Sequence, residues 1–513
     1  MQIIQESMLD FKGGLNLRAN PFQLAENETP DCIDVDIDPV AGFRRRKAFT
    51  QASTLTAAVF DGLWVYTSST GGQVRMAAVR SGANTLIKNL ETGATVHTIP
   101  AGKCRAVTYG DVCYVVSENA APFRYNGSAI ASLSFFTQDL EPNPTSPVAN
   151  GAFPRGKTVA VWNDVVWVAN TTEADGTHPN RVRYSWPGFA EYWGDNYFDL
   201  DSGEDHDEIT AIVPHGERLL VFKRKSVYAI SGTDPDSFRR DTLSKGVGAI
   251  SAEAVCVSDF DVYFADWPHG VYQIQYQSIP KLLSMKLTPI FSDGRIPSAS
   301  LNDVTVGWGN KRVWVGVPWR DASQGRTLMY DPQIDCWSAY SFRAAAVVPV
   351  YPSNAADYCM AVAYHSSSPT TGRVVTLDDT GSSQDLGSYS IPAFFQTRWV
   401  DGTDPVLKKR FRRCGFVFNG NQLNVKAYTS YRMESSVKSF SVKGKTSADG
   451  GSWGENWGSM VWSSGEGRDD LETKEGVSIG SGTSMSLVVS CPLDTNWGVS
   501  AVTVKYIPKR RRA

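Results

Sequence analysis

The feature that most limits what this chain can fold into is a repeat. An apolar alternating run, a polar turn of two or three residues, and a second run ending in an aromatic residue and valine recur at 57–67, 104–116, 158–169, 209–223, 254–265 and 304–316. A weaker seventh instance lies at 345–364. The turns fall near 61, 110, 163, 216, 259, 309 and 354, so the spacing is 43–53 residues. Alternation over four to eight residues builds a half-buried strand, and a short Gly/Asn/Asp turn closes a hairpin. Several hairpins are followed by a third short strand, as in SVYAIS (226–231) and GVYQIQ (270–275). Three or four strands per 40–50 residues is the blade spacing of a β-propeller. The competing reading is a set of unrelated hairpins in sandwiches.

The recurrent aromatics Trp64, Trp167, Phe222, Tyr263 and Trp314 are expected to fill blade cores, each from the second strand of its hairpin. Helical periodicity is nearly absent. The best short candidate is KLLSMKL (281–287), with Pro289 expected to end it. The chain therefore reads as all-β.

The two ends depart from the repeat. Residues 1–56 hold no clear hairpin and read as an extended N-terminal arm, and residues 57–385 as the propeller. In the arm, IDVDIDPVAGFRRRKAF (33–49) alternates so that Asp34, Asp36 and Asp38 share one face of a strand. Residues 386–513 carry longer strands around a Gly/Ser/Trp-rich segment, 444–484, and read as a β-sandwich with a loop or insertion.

Composition narrows the classes. Lys+Arg number 50 and Asp+Glu 53, a net charge of −3, which excludes a polycation or an acidic tail. Hydrophobic residues make up 42% of the chain and aromatics 11%, as in a folded protein. No apolar run approaches 18 residues, so no membrane helix is expected. The start, MQIIQESMLDFKGG, lacks a basic and then apolar leader, so synthesis and folding in a cytoplasm are expected. None of the eight cysteines forms a C-x-x-C pair, and most sit in apolar runs as small hydrophobes. The six histidines are scattered, which argues against zinc.

Motifs that suggest chemistry lack their context. Gly151 to Thr158 satisfies the P-loop expression, but residues 158–169 are strand-periodic, so no helix can hold phosphate there. Gly476 to Gly480 fits G-x-S-x-G, yet the last histidine is His365 and no base lies downstream. Ser447 to Trp453 is similar to an Asp-box, which is itself a structural turn. The acidic run Asp199 to Glu208 fails the EF-hand pattern at Gly203 and Glu204. No catalytic, cofactor-binding or metal-binding residue is assigned, and no cofactor is expected. Three basic clusters stand out: Arg44, Arg45, Arg46 and Lys47; Lys408, Lys409, Arg410, Arg412 and Arg413; and Lys509 to Arg512. Their readings are solvated strand edges that resist aggregation, subunit contacts, and non-specific phosphate contact.

Several stretches resemble one family. They are Gly13-Gly14-Leu15-Asn16, Pro21, Glu28, Asp36 to Asp38, Gly42 and Arg44 to Lys47 near the start. Further matches are RVRYSWPGFAEYW (181–193), ERLLVFKRKSVYAISG (217–232), DVYFADWPHGVYQI (261–274) and FFQTRWVDGTDPVLKKRFRRCGFVFNG (394–420). Together they resemble the tail nozzle (tail tubular protein B-like) proteins of short-tailed phages. The resemblance implies a β-propeller with added β-domains, and six copies around a channel through which genomic DNA leaves without sequence-specific binding. It also implies portal-side or adaptor-side tail proteins as neighbours, with tail fibres or spikes as further ones, a place in the virion, and no catalytic residues.

The expectation is thus a structural tail protein with six blades, seven being the alternative. Its subunits would meet through Asp34, Asp36, Asp38 and the first two basic clusters. The rival readings are a propeller that binds host-surface polysaccharide and a glycan hydrolase.

Overall fold

In the computed structural model of the chain, the repeat's turns show why its runs pair. Gly110 and Asp111, Asn163 and Asp164, and Asn310 and Lys311 take left-handed angles, with φ between 52° and 59°. Two such residues in succession make the mirror-image turn whose twist matches the strands it joins. The structure describes residues 3–38, 42–133, 155–194, 196–201, 207–276, 278–319, 321–350, 358–365, 372–379, 384–402, 404–430, 437–443, 472–475, 479–492 and 497–509.

Seven four-stranded sheets follow one another along the chain. Their first strands are Phe60–Thr67, Cys104–Tyr109, Arg155–Trp162, Ile209–His215, Val255–Val257, Thr305–Gly309 and Phe342–Pro349. Each touches the first strand of the next sheet, and the seventh touches the first. A closed cycle of such sheets is a β-propeller.

The expected six blades give way to seven four-stranded sheets among the described residues. The weak repeat at 345–364 is a real hairpin, Phe342–Pro349 with Tyr358–His365. Its sheet is completed by Ala48–Ala57, which lies beside Gly372–Asp379. The first instance of the repeat, 57–67, is by contrast no hairpin. Ala48–Ala57 belongs to the seventh sheet, and Phe60–Thr67 begins the first.

Blade packing explains the near-continuous apolar runs. Leu219 and Val221 point into the core shared with the third sheet, and Leu220 and Phe222 into the core shared with the fifth. A strand buried on both faces has no polar side to alternate with.

The chain divides into two compact units, residues 51–327 with 342–376, and residues 1–50 and 328–341 with 377–513. The first holds the ring of inner strands. Besides two short strand pairs and Cys336–Tyr340, the fourth strand of the sixth blade, the second holds two larger sheets. One has seven strands, centred on Lys409–Asn419 and Gly498–Pro508, which also takes Ile4–Leu9, Val35–Asp38 and Gly42–Arg45. The other runs Asp31–Ile33, Phe394–Gln396, Ser486–Ser490, Gln422–Tyr428, Val437–Lys443. Phe43 of the first sheet stacks on Phe395 of the second at 4.5 Å, flanked by Phe11 and Trp497.

Residues 1–56 are therefore not an extended arm. Ile4–Leu9 pairs with 501–506, and Asp31–Ile33 with Phe394–Gln396. The helix candidate is also shifted. Ser284–Leu287 is a 3-10 turn, and a five-residue helix runs Thr288–Ser292 with Pro289 in its first turn. Proline is accepted there because the first-turn N–H groups lack helical partners anyway, so Pro289 opens the helix rather than ending it.

Candidate functional site

The first strands converge on a cavity of about 220 Å³ on the propeller axis, lined by residues from all seven sheets. Polar atoms supply more than half of the wall surface, although most of the lining residues are apolar, including Val159, Ile212, Val306 and Val347. Four charged side chains interrupt them, Asp61, Lys103, Arg105 and Glu253. Arg105 stands on the first strand of the second sheet, and Glu253 on the 3-10 turn before the fifth. The two come from opposite sides of the ring and form an ion pair. Lys103 Nζ lies 4.0 Å from the same carboxylate and donates to the Phe60 carbonyl at 3.4 Å. Asp61 has separate partners, taking both arms of Arg80 at 2.6 and 2.7 Å and the Thr85 hydroxyl at 2.6 Å.

Burial pushes the Glu253 carboxyl up, and the charges of Arg105 and Lys103 overcome that push, so its pKa lies below the ordinary value. It is ionised at neutral pH. Sequence reasoning missed this site. Its only trace was Lys103-Cys104-Arg105, two charges alternating at the head of an apolar strand.

The five expected blade aromatics are all buried. Trp167 and Trp314 occupy matching places, each donating its indole N–H to the carbonyl five residues earlier, at 3.1 Å to Trp162 and 2.8 Å to Gly309. The other three are not equivalent to them. Trp64 lies on the first strand of its sheet. Phe222 stands two residues further from its turn than Trp167 does, and packs toward the fifth sheet rather than between the third and fourth. Tyr263 takes the face opposite Phe264 and stacks on Trp308, 6.2 Å away. An aromatic can point either way from a strand buried on both faces.

The expected subunit contacts separate into two groups. Asp34, Asp36, Arg45, Arg46 and Lys409 are buried within the chain's own second unit, so they are not surface for a neighbouring copy. The Arg46 guanidinium bonds Asp34 at 2.7 Å and Asp385 at 2.5 and 2.9 Å, with all three side chains fully buried. Asp36 accepts from the Tyr340 hydroxyl. Lys409 Nζ donates to the Thr483 and Leu407 carbonyls at 2.8 and 2.9 Å. Asp34 also takes a left-handed angle, φ 54°, between two strands, so the three aspartates do not share one strand face. Asp38 and Arg44 are half-buried and pair with each other at 3.3 Å. Lys47, Lys408, Arg410, Arg412 and Arg413 remain exposed.

The rejected motifs take ordinary roles where they are described. Arg155 to Thr158 opens a strand, and Lys157 pairs with Glu208 at 2.9 Å. The described acids of the 199–208 run bind donors of their own chain, as Asp201 does with Tyr228 and Asp207 with the Lys225 N–H. Residues 151–154, 202–206, the Asp-box stretch, Gly476 to Ser478 and Arg510 to Arg512 lie outside the described residues.

No family model and no curated protein matches the chain. Among solved structures it is similar to BBS1N in complex with ARL6DN, at 11% identity and a TM-score of 0.38, over 66% of this chain and 99% of that one. The β-propeller domain of Cps50 (Swd1) from Myceliophteria thermophila gives 9% and 0.36, over 64% and 99%. YCF48 from Cyanidioschyzon merolae gives 11% and 0.29, over 56% and 99%. At these TM-scores the likenesses carry no weight for function, and the propeller assignment rests on strand pairing and the closed cycle.

Proposed function

We propose that the chain is a structural subunit of a short-tailed phage's tail, a nozzle protein that acts as one of six copies around the path of the leaving DNA. One observation carries this reading. The stretches that resemble the nozzle family at 13–47 and 394–420 lie far apart in sequence yet interleave in one unit, through Asp31–Ile33 on Phe394–Gln396 and Gly42–Arg45 on Gly498–Pro508. Within the first stretch, Asn16 bonds Glu28 at 2.9 Å, so two residues that carry the resemblance hold one another.

The function is assembly and conduction rather than catalysis. The DNA path runs between copies, because a cavity of about 220 Å³ crossed by an ion pair is no passage for a duplex. Ring formation needs two different surfaces on each copy. The exposed Lys408, Arg410, Arg412 and Arg413 are one of them. Their acidic counterpart lies outside Asp34 and Asp36, which are buried. Portal-side or adaptor-side tail proteins flank the ring, and fibres or spikes attach around it.

Electron microscopy of purified virions tests this reading. Six copies around the tail axis are expected, and one or three at a peripheral spike would overturn it. Arg412→Glu with Arg413→Glu should leave the melting temperature near wild type and block incorporation into particles.

A further inference from the structure

We propose that the axial cavity binds a small oxyanion of the size and charge of inorganic phosphate, with Lys103 and Arg105 as its anchors. This inference stands apart from the tail reading and starts from the charges on the cavity wall. Asp61 is matched by Arg80, outside the lining. That leaves two cations, Lys103 and Arg105, facing one carboxylate, Glu253. The surplus is one positive charge in a recessed, partly apolar site, where a counter-charge is felt more strongly than in water.

The surplus resides on Lys103. An ammonium offers three N–H donors, and charge-assisted bonds favour about 2.7–2.9 Å. Lys103 has a 3.4 Å contact with a carbonyl and a 4.0 Å approach to Glu253, both long for such bonds. Arg105 is better occupied, with Nη1 on the Cys104 carbonyl at 2.8 Å and Nη2 against Glu253. Glu253 thus acts as an internal anion that an incoming oxyanion must share the cations with. The volume limits the ligand's size. About 220 Å³ lies below the roughly 300–1,000 Å³ of sites for drug-sized ligands.

Isothermal titration of the full chain with sodium phosphate, against sodium chloride at matched ionic strength, tests the proposal. One saturable site per chain is expected with phosphate. Lys103→Met should weaken it about tenfold or more, as expected for losing a charged hydrogen bond. Glu253→Gln keeps the shape, removes the competing anion, and should tighten binding several-fold. A melt of each variant without phosphate checks that it folds. No saturable heat in the wild type overturns the proposal. So does Lys103→Met binding like the wild type, or Glu253→Gln binding no tighter.

Discussion

In the propeller a strand usually finds its partner across a short turn, as Trp162 does with Val165. In the second unit Ile4 lies opposite Tyr506, and Phe395 opposite Cys32. The cores differ as well. Blade interiors are mainly aliphatic and aromatic, with scattered buried charges such as Lys223 and Asp266, whereas the second unit buries Arg46 together with Asp34 and Asp385 as one ion-paired cluster. The first unit is held by many local hairpins. The second depends on joining the chain's ends and on one buried charge network.

The contrast is broken most severely by deleting residues 1–47. This removes strands from both sheets of the second unit and leaves Ala48–Ala57 for the seventh blade. Amide exchange should show protection lost across 394–508 and kept in the ring of first strands. Protection kept in both regions would mean that the second unit does not depend on its N-terminal strands.

Arg46→Met is the next largest. It leaves two buried carboxylates without their counter-charge, Asp34 still accepting from the Ser341 N–H and Asp385 from the Phe49 N–H, and breaking a buried ion pair typically costs about 3–5 kcal/mol. Urea unfolding should show that loss in the second unit, with the propeller's exchange unchanged. An unaltered midpoint would show that the carboxylates are satisfied by other donors.

Trp314→Ala tests the propeller side. Truncating a buried aromatic costs about 3–5 kcal/mol, and a marked fall in melting temperature is expected. Trp314→Phe keeps most of the packing and loses the bond to Gly309, for about 1 kcal/mol. Equal melts for the two variants would place the side chain outside a packed core.

Lys157→Ala is the smallest. Its exposed pair with Glu208 is worth less than about 1 kcal/mol. Burial pushes the Glu208 carboxyl up, but bonds from Lys157, Arg224 and Asn170 outweigh it and hold the pKa at about 2. A lowered folded-state pKa gives stability that is present above the unfolded value, about 4.3, and is lost as pH falls toward 2. Lys157→Ala should raise the Glu208 pKa in a carboxyl carbon-13 titration, and the stability difference from wild type should vanish near pH 2. An unmoved titration would contradict the pair. Saturable ATP binding abolished by Lys157→Ala would overturn the non-enzyme proposal itself.

Legibility followed contact distance. The turns at 110, 163 and 309 were plain, because a mirror-image turn between apolar runs needs only neighbouring residues. The seventh blade was faint, because its fourth strand comes from 48–57, on the far side of the whole propeller sequence. The aromatics were correctly expected inside, but three of the five do not share the place of Trp167 and Trp314, since side-chain spacing does not say which face of a doubly buried strand a residue takes. The charged stretches misled most. Asp34, Asp36, Arg45 and Arg46 have the composition of a surface, and nothing local reveals that Asp385 and Tyr340 meet them. The axial site left only Lys103 and Arg105 as a trace, because Glu253 joins them from the other side of the ring.

The sequence by itself determined the all-β class, the blade period and the buried character of the blade strands, since these follow from alternation, turn chemistry and hydrophobic burial within tens of residues. Only the tertiary structure decided that seven sheets close the ring, that both ends of the chain share one unit, and that charged residues form a core there and a cavity on the axis. Closure and charge pairing depend on which distant segments meet. A buried ion pair is favourable only once both partners are in place, so neither partner's own neighbourhood can announce it.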